Sequence, residues 1–175
     1  MASELHVDAI KHSGGTSALT IDSSGNVHKA GFVVQTSFHS FNTATTLNSD
    51  SDADLGGSSL TFTPKFASSL LILSCSVAVN IYRQNINQGG TVNFNVDGTN
   101  IDYSSDDYEI YYAVPSGNTN GHFRLSKEVS MSASSTSAKT VKLTGRPYAT
   151  GNSGALYINA NGTFYSTIKV QEIAQ

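Results

Sequence analysis

Apolar and polar residues alternate in short runs over most of this 175-residue chain, which is the pattern of β-strands that bury one face. The longest apolar run covers residues 69–81, where Ser74, Ser76 and Asn80 keep a period of two. Turn sequences rich in Gly, Asn and Pro separate the runs, and no stretch has helical periodicity over three turns. The pattern therefore predicts an all-β fold, an antiparallel jelly roll or β-sandwich, with a barrel as the alternative.

The positions of individual strands follow from the same alternation. Strands are predicted at residues 31–38, 59–63, 69–81, 91–96, 108–114, 121–131, 139–144, 155–160 and 165–173. Residues 39–58 form a long polar stretch after the first of them. Asn161-Gly162 lies between two apolar runs and predicts a hairpin, because an Asn-Gly pair favours the tight turn between antiparallel strands.

The first thirty residues differ from the rest of the chain. They contain two short β-like segments, Leu5–Asp8 and Leu19–Val27, and a Ser-Ser-Gly-Asn turn in the second predicts a small hairpin. A lone hairpin is marginal in water, and this segment has too few apolar residues to build a core. We predict an attachment arm at 1–30 and a jelly-roll domain at 31–175. The arm is expected to be buried against sister chains or a larger assembly through Leu5, Val7, Ile10, Leu19, Ile21 and Val27.

Composition and charge argue against several classes of function. Only 13% of the residues are charged, against roughly 25% in an average globular protein, so the surface is polar but weakly charged, as expected where copies pack together. The net charge is −3 and the ten Lys and Arg residues are scattered, which argues against nucleic-acid binding. No apolar stretch is long enough to span a bilayer, and the N-terminus has no signal-peptide pattern, so synthesis in a cytoplasm is expected.

Several segments resemble proteins of tailed-phage particles. Leu19–Val27, with the sequence LTIDSSGNV, resembles the short β repeat of phage fibre and appendage proteins, and Ser3–Ile10 resembles the start of many marine and cyanophage virion proteins. Leu60–Leu73 and the ending Ile158–Ile173 resemble the strand-turn-strand and closing strands of phage jelly-roll heads. The fibre repeat usually continues Gly-Asn-Val-Gly-Ile-Gly, whereas this chain has Val27-His28-Lys29-Ala30-Gly31, so a long repeated shaft is not expected.

This resemblance implies a homotrimer similar in shape to tumour-necrosis-factor or C1q heads. Proteins of this kind serve as fibre tips, receptor binders or capsid decorations. The resemblance thus implies three kinds of partner, which are sister chains, other capsid or tail proteins and a host surface glycan. It also implies a location in the virion.

Candidate chemical groups are few. Cys75 lies in an apolar run and is expected to be buried and inert. Asp50, Asp52 and Asp54 offer carboxylates at alternate positions that suit a structural cation. The calcium-loop spacing fails at its required Gly and Glu positions, so a solvated acidic loop is the preferred interpretation. No cofactor is expected.

A second acidic segment is interleaved with aromatic residues. Its carboxylates belong to Asp102, Asp106, Asp107 and Glu109, and its tyrosines are Tyr103, Tyr108, Tyr111 and Tyr112. The tyrosines are expected to cover a β edge or a subunit interface, or to stack on a sugar ring. A pair of carboxylates suits glycoside hydrolysis, but none here lies in an apolar frame. The five histidines show no ligand spacing, and those of the arm form a metal site only if three chains bring them together on an axis.

The sequence therefore favours a virion structural protein that is not an enzyme. We expect a homotrimeric head that attaches to the particle through its arm, as capsid decoration, cement or a short fibre. A carbohydrate- or receptor-binding module of a fibre tip is the first alternative, and a glycan-degrading enzyme is the second.

Overall fold

The computed structural model describes residues 7–15, 17–49, 51–84, 88–101, 109–112, 118–148 and 154–175. These residues form mostly β-strands, as the alternation predicts, with one 3₁₀ turn at Ala160–Gly162. In chain order the strands are β1 (Ala9–Lys11), β2 (Ser17–Ile21), β3 (Val27–His28), β4 (Val33–Phe41), β5 (Thr45–Leu47), β6 (Ala53–Asp54), β7 (Leu60–Phe62), β8 (Leu70–Gln84), β9 (Gln88–Val96), β10 (Thr99–Asn100), β11 (Ile110–Tyr112), β12 (Asn118–Ser132), β13 (Lys139–Pro147), β14 (Gly154–Ile158) and β15 (Ser166–Ile173).

The strands from β4 onward form two antiparallel sheets. Sheet I has the order β4/β5, β15/β14, β8, β12, where each pair of labels marks two strands that run end to end along the same neighbour. Sheet II has the order β6/β7, β13, β9, β10/β11. The chain passes repeatedly from one sheet to the other, which is the connectivity of a jelly roll. The predicted all-β sandwich is thus confirmed.

The core lies between these two sheets. Strand β8 supplies its largest share, because alternate residues from Leu71 to Ile81 point inward and are almost completely buried. They meet Val92, Phe94 and Val96 of β9 and Val141 and Leu143 of β13 in a single apolar cluster. Cys75 is buried within it, as predicted.

The hairpin predicted at Asn161-Gly162 is wrong. Strands β14 and β15 run in the same direction along the same side of β8, where Ile158 pairs with Val79 and Thr167 with Ser76. The residues between β14 and β15 form a loop after which the chain continues in the same direction, so the two strands do not make a hairpin. Asn159 explains the difference, because its buried side chain accepts a hydrogen bond from Ser166 Oγ at 2.5 Å and thus ties the two ends of the loop together.

The loop between β7 and β8 is held by a buried carboxylate. Glu172 of β15 is 0% exposed and accepts hydrogen bonds from the N–H groups of Lys65 and Phe66, each at 2.9 Å, and from Gln35 Nε2 at 2.6 Å. Burial raises the pKa of the Glu172 carboxyl, but these hydrogen bonds outweigh burial and bring the pKa below its ordinary value of 4.5. Glu172 therefore joins strands of sheet I to the loop beside the arm.

We predict that Glu172→Gln lowers the free energy of unfolding by about 2–3 kcal/mol near neutral pH, because it leaves buried N–H donors without a charged acceptor. A carboxyl whose pKa is lowered by folding stabilises the fold fully above about pH 4.5 and loses that contribution as the pH falls through the folded-state pKa. Urea unfolding of both proteins between pH 7 and pH 3 should therefore show the stability difference shrinking towards acid. Glu128→Gln, at an exposed position of β12, is the matched control. Equal stability of Glu172→Gln and the native chain at pH 7 would contradict the stabilising role of the Glu172 carboxylate.

Candidate assembly site

Strands β1, β2 and β3 form a separate three-stranded sheet, which we call the arm sheet. The turn between β2 and β3 is closed by Asp22, whose Oδ1 accepts hydrogen bonds from the N–H groups of Ser24 at 2.9 Å and Asn26 at 2.8 Å. Gly25 in this turn has φ 79°, a conformation that favours glycine. The hairpin predicted for Leu19–Val27 is thus confirmed.

The Asp22 carboxylate is half-buried, and its environment favours the charged form. Hydrogen bonds from the Asn26 side chain and N–H group, together with the Ser24 N–H group, bring the pKa of Asp22 below its ordinary value of 3.8. The β2–β3 turn is therefore best ordered when Asp22 is ionised.

The arm sheet has one apolar face. Cross-strand partners share a face of an antiparallel sheet, and Ile10 pairs with Leu19 while Ile21 pairs with Val27. Because Leu19 and Ile21 are two residues apart, both pairs lie on the same face. Four of the six predicted arm residues are thus brought together: Ile10, Leu19, Ile21 and Val27.

The opposite face is more polar and lies toward the sandwich. It carries Ala9, Thr20 and His28, which are aligned by cross-strand pairing. The His28 ring packs edge-on against Phe66, with 4.8 Å between the ring centroids. Phe66 belongs to the loop held by Glu172, so the arm sheet rests on an anchored part of the sandwich.

The apolar face is only partly covered. Ile10 is 49% exposed and Val27 is 47% exposed, while Leu19 and Ile21 are half-buried. Apolar side chains on one face of a small sheet normally pack against another layer. The uncovered face is therefore the strongest candidate for a surface at which another polypeptide binds.

A short connection ties the arm sheet to the sandwich. The Gly31 N–H group donates to the Ala174 carbonyl oxygen at 2.7 Å, and the Ala174 N–H group donates to the Phe32 carbonyl oxygen at 2.9 Å. Nearby, the Lys29 ammonium lies 4.7 Å from the centroid of the Phe32 ring. These contacts fix where the arm leaves the sandwich, next to the end of β15.

Two of the predicted arm residues are not assigned to this face. Leu5 is outside the described residues. Val7 is half-buried but precedes β1, so strand pairing does not place it on the apolar face.

The described part of the tyrosine segment lies beside Gly89 of β9. Tyr111 pairs with Gly89, and Tyr148 donates its N–H group to the Gly89 carbonyl oxygen at 2.8 Å. The two tyrosine rings meet edge to face with 5.4 Å between centroids. Tyr111 is 52% exposed and Tyr148 is 42% exposed, so they form an accessible aromatic pair. Sequence reasoning missed Tyr148, which lies far from Tyr111 along the chain.

Three predicted tyrosines and four predicted acids have no described side chain. Tyr103 and Tyr108 lie outside the described residues, as do Asp50, Asp102, Asp106 and Asp107. Tyr112 is described only by its backbone, as the last residue of β11.

Three of the predicted acidic residues, Asp52, Asp54 and Glu109, lie in the described part of the chain, and each has a partner there. Asp52 Oδ2 accepts a hydrogen bond from Asn100 Nδ2 at 2.8 Å, and Asp54 forms an ion pair with Lys142 at 2.7 Å. Glu109 pairs with Lys127, so this ion pair links the segment before β11 to the edge strand β12. Within the described ranges no three His, Cys, Asp or Glu side chains are grouped as metal ligands.

No described helix has the length and apolar character needed to cross a bilayer. No protein-family model matches this chain, and no curated protein matches its sequence. Among solved structures, dimeric latent PorU from Porphyromonas gingivalis is similar with a TM-score of 0.40 and 13% identity, over 92% of this chain and 15% of that one.

Two structures of an infectious bursal disease virus protein are also similar. The D431N mutant VP2 protein in T=1 particles has a TM-score of 0.23 and 14% identity, over 96% of this chain and 41% of that one. The Gx strain has a TM-score of 0.20 and 14% identity, over 95% and 40%. This chain thus spans less than half the length of each of these three structures, and all three scores are too low to assign a family or a function.

Proposed function

We propose that this chain is a structural protein of a phage particle, a homotrimeric head that attaches through its arm as capsid decoration, cement or a short fibre. The observation that carries the proposal is the uncovered apolar face of the arm sheet. The resemblance of Leu19–Val27 to phage appendage repeats, and of the later segments to phage jelly-roll heads, supports the choice of particle.

Attachment through this face has a clear driving force. Full burial of an aliphatic side chain stabilises by about 1.5–3 kcal/mol, so covering the exposed halves of Ile10 and Val27 contributes roughly 1 kcal/mol each per copy. A trimer presents three such faces, and their contributions combine when all bind the same particle. The apolar patch therefore contributes to attachment through all three copies at once.

The arm sheet also offers a suitable shape. Its outward face carries alternate apolar side chains, which fit pockets on a partner surface. Its inward face is held by the ring contact between His28 and Phe66, so little order has to be gained on binding.

We predict that the double substitution Ile10→Ser and Val27→Ser weakens attachment at least tenfold without unfolding the sandwich. Both side chains are about half exposed, so their loss affects the partner surface more than the core. Purified full-length protein would be added to particles that lack it, and the bound fraction measured by co-sedimentation. Native protein should bind, and the variant should bind at least tenfold more weakly.

Phe164→Ser is the matched control, because Phe164 is 48% exposed but lies in the loop between β14 and β15. It should bind like the native chain. Normal binding of the double variant, or no binding of the native protein, would contradict the attachment proposal. Sedimentation equilibrium of the free protein should give three times the chain mass of 18.5 kDa, and a monomer would contradict the trimer.

A receptor-binding head is the second candidate function. The aromatic pair Tyr111–Tyr148 favours it, because exposed tyrosine rings stack on the apolar faces of sugars. The arm joins sheet I at the end where Leu70 pairs with Ile173. The last residues of β8, next to Gly154 and Asn118, lie at the opposite end of the sheet. A head attached by its arm would therefore direct that opposite end away from the particle.

If this second function holds, a glycan array probed with native protein gives sharp hits that Tyr148→Ala removes or weakens at least tenfold. Tyr165→Ala is the control, since Tyr165 is 59% exposed and lies near β15. An array without hits, or hits that Tyr148→Ala leaves unchanged, would reject the tyrosine pair as a receptor site.

A further inference from the structure

Strand β12 forms one edge of sheet I. It has 15 residues and pairs with β8 over its whole length, without a register shift. In the described part of the chain no strand lies on its other side. The backbone N–H and C=O groups along a free edge can form the hydrogen bonds of a further strand. β12 therefore offers a long, regular surface for strand pairing.

The other sheet edges are less suited to pairing. The edge strands of sheet II, which are β6, β7, β10 and β11, have two or three residues each. At the opposite edge of sheet I, the pairing of β4 with β15 is interrupted by a bulge next to Val33, and Gln35 Nε2 donates to the Thr63 carbonyl oxygen beside that edge. Short strands and bulges prevent edge-to-edge pairing, and β12 is neither short nor bulged.

The direction of the free backbone groups follows from a neighbouring hydrogen bond. The N–H group of Ala133, one residue beyond β12, donates to the Ser69 carbonyl oxygen and continues the pairing of β12 with β8. Backbone groups point to opposite sides at successive residues of a strand. Odd-numbered residues of β12 therefore bond to β8, and even-numbered residues point their N–H and C=O groups to the free edge. The side chains of the even-numbered residues from His122 to Ser132 are exposed.

We propose that this edge pairs with the β12 edge of a second copy of the chain, antiparallel and about a two-fold axis at Ser126. In such a pair one position lies opposite itself, and this position sets the register. An axis at Arg124, Lys127 or Glu128 would place like charges opposite each other, which destabilises a sheet. An axis at Ser126 avoids this.

The register at Ser126 also places opposite charges together. Arg124 of each copy lies opposite Glu128 of the other, and both side chains are exposed on the outer face of sheet I. Arg124 donates to Ser76 Oγ at 3.1 Å and to the Tyr165 carbonyl oxygen at 3.0 Å, and neither acceptor is a carboxylate. Glu128 forms no ion pair with the described residues of its own chain. An axis at Leu125 would bring no charge pair together, so Ser126 is the favoured centre.

Apolar side chains meet on the inner face in the same register. Phe123 of each copy lies opposite Val129 of the other. Phe123 is 37% exposed, and Val129 is half-buried against the core. Aromatic and β-branched side chains stabilise a sheet when they lie opposite each other. Lys127 points to the same face, where its charge is balanced by the ion pair with Glu109. Pairing thus extends the core of one sandwich to the next.

This contact is separate from the attachment surface, because β12 and the arm sheet share no residue. A two-fold contact cannot close a trimer, so the two copies belong to different heads. That assignment to different heads rests on the proposed function, whereas the pairing itself does not. Heads held on one particle have a high effective concentration, so pairing is expected chiefly there and only transiently between free heads.

Cysteine cross-linking of the full chain tests the pairing, because oxidation traps even transient contacts. Directly opposite residues in a hydrogen-bonded pair have Cα atoms about 5.5 Å apart, a separation that a disulfide spans. Air oxidation of Ser126→Cys with copper phenanthroline should give a covalent species of twice the chain mass of 18.5 kDa. The chain's own Cys75 is buried, so the native protein should give none.

Ser130→Cys is the matched control, since it is equally exposed and on the same strand. The register places the two copies of residue 130 about 27 Å apart, eight residues along the strands. Ser130→Cys alone should therefore cross-link at least tenfold more slowly than Ser126→Cys. A mixture of Ser130→Cys with His122→Cys should cross-link rapidly, because these two positions lie opposite each other.

The charge pair is tested in the Ser126→Cys background. Glu128→Arg places Arg opposite Arg124 and should slow cross-linking severalfold, and adding Arg124→Glu should restore the rate. Cross-linking of Ser126→Cys no faster than that of Ser130→Cys would overturn the proposal. So would rapid cross-linking of Ser126→Cys without any between His122→Cys and Ser130→Cys, which would indicate an axis of another symmetry. Co-sedimentation with particles is measured separately, so failure of pairing and failure of attachment are distinct results.

Discussion

Packing of alternate side chains from β8 between two sheets is the interaction on which this structure depends. The inward residues of β8 are almost completely buried, and strands of sheet I align on both of its edges. This leaves the sandwich with a complete core of its own. The arm sheet has no place in that core, since it lies beyond Gly31 at the end of the sandwich.

The orientation of the arm sheet follows from this constraint. Its polar face is held by His28 against Phe66, and Phe66 is held by the buried carboxylate of Glu172. The side chains of Ile10 and Val27 are consequently presented to the outside. The same network that stabilises the loop between β7 and β8 thus also positions the surface proposed for attachment.

Period-two alternation predicts the longer strands of the sandwich, because burial of one face is a local property of the sequence. Residues 69–81, for example, are predicted as the longest strand, and β8 covers Leu70–Gln84. The short strands β5, β6 and β10 are not predicted, because two or three residues are too few to show alternation. The hairpin in the arm was predictable for a similar reason, since Asp22, Gly25 and Asn26 form their turn within five residues.

Features that join distant residues were not predictable. The Asn161-Gly162 signal failed because buried Asn159 and Ser166 hold the loop ends on one side of β8. The hydrogen bond between Asn100 and Asp52 likewise spans 48 positions. Sequence periodicity identified an apolar face in the arm but not its direction, which depends on the contact of His28 with Phe66.

Whether other polypeptides cover the apolar face of the arm sheet can be measured directly in a cryo-electron microscopy map of the intact particle, at a resolution that shows side chains. We expect Ile10 and Val27 to lie in van der Waals contact with neighbouring chains. A map in which these two side chains face solvent, or fold back onto their own sandwich, would contradict it.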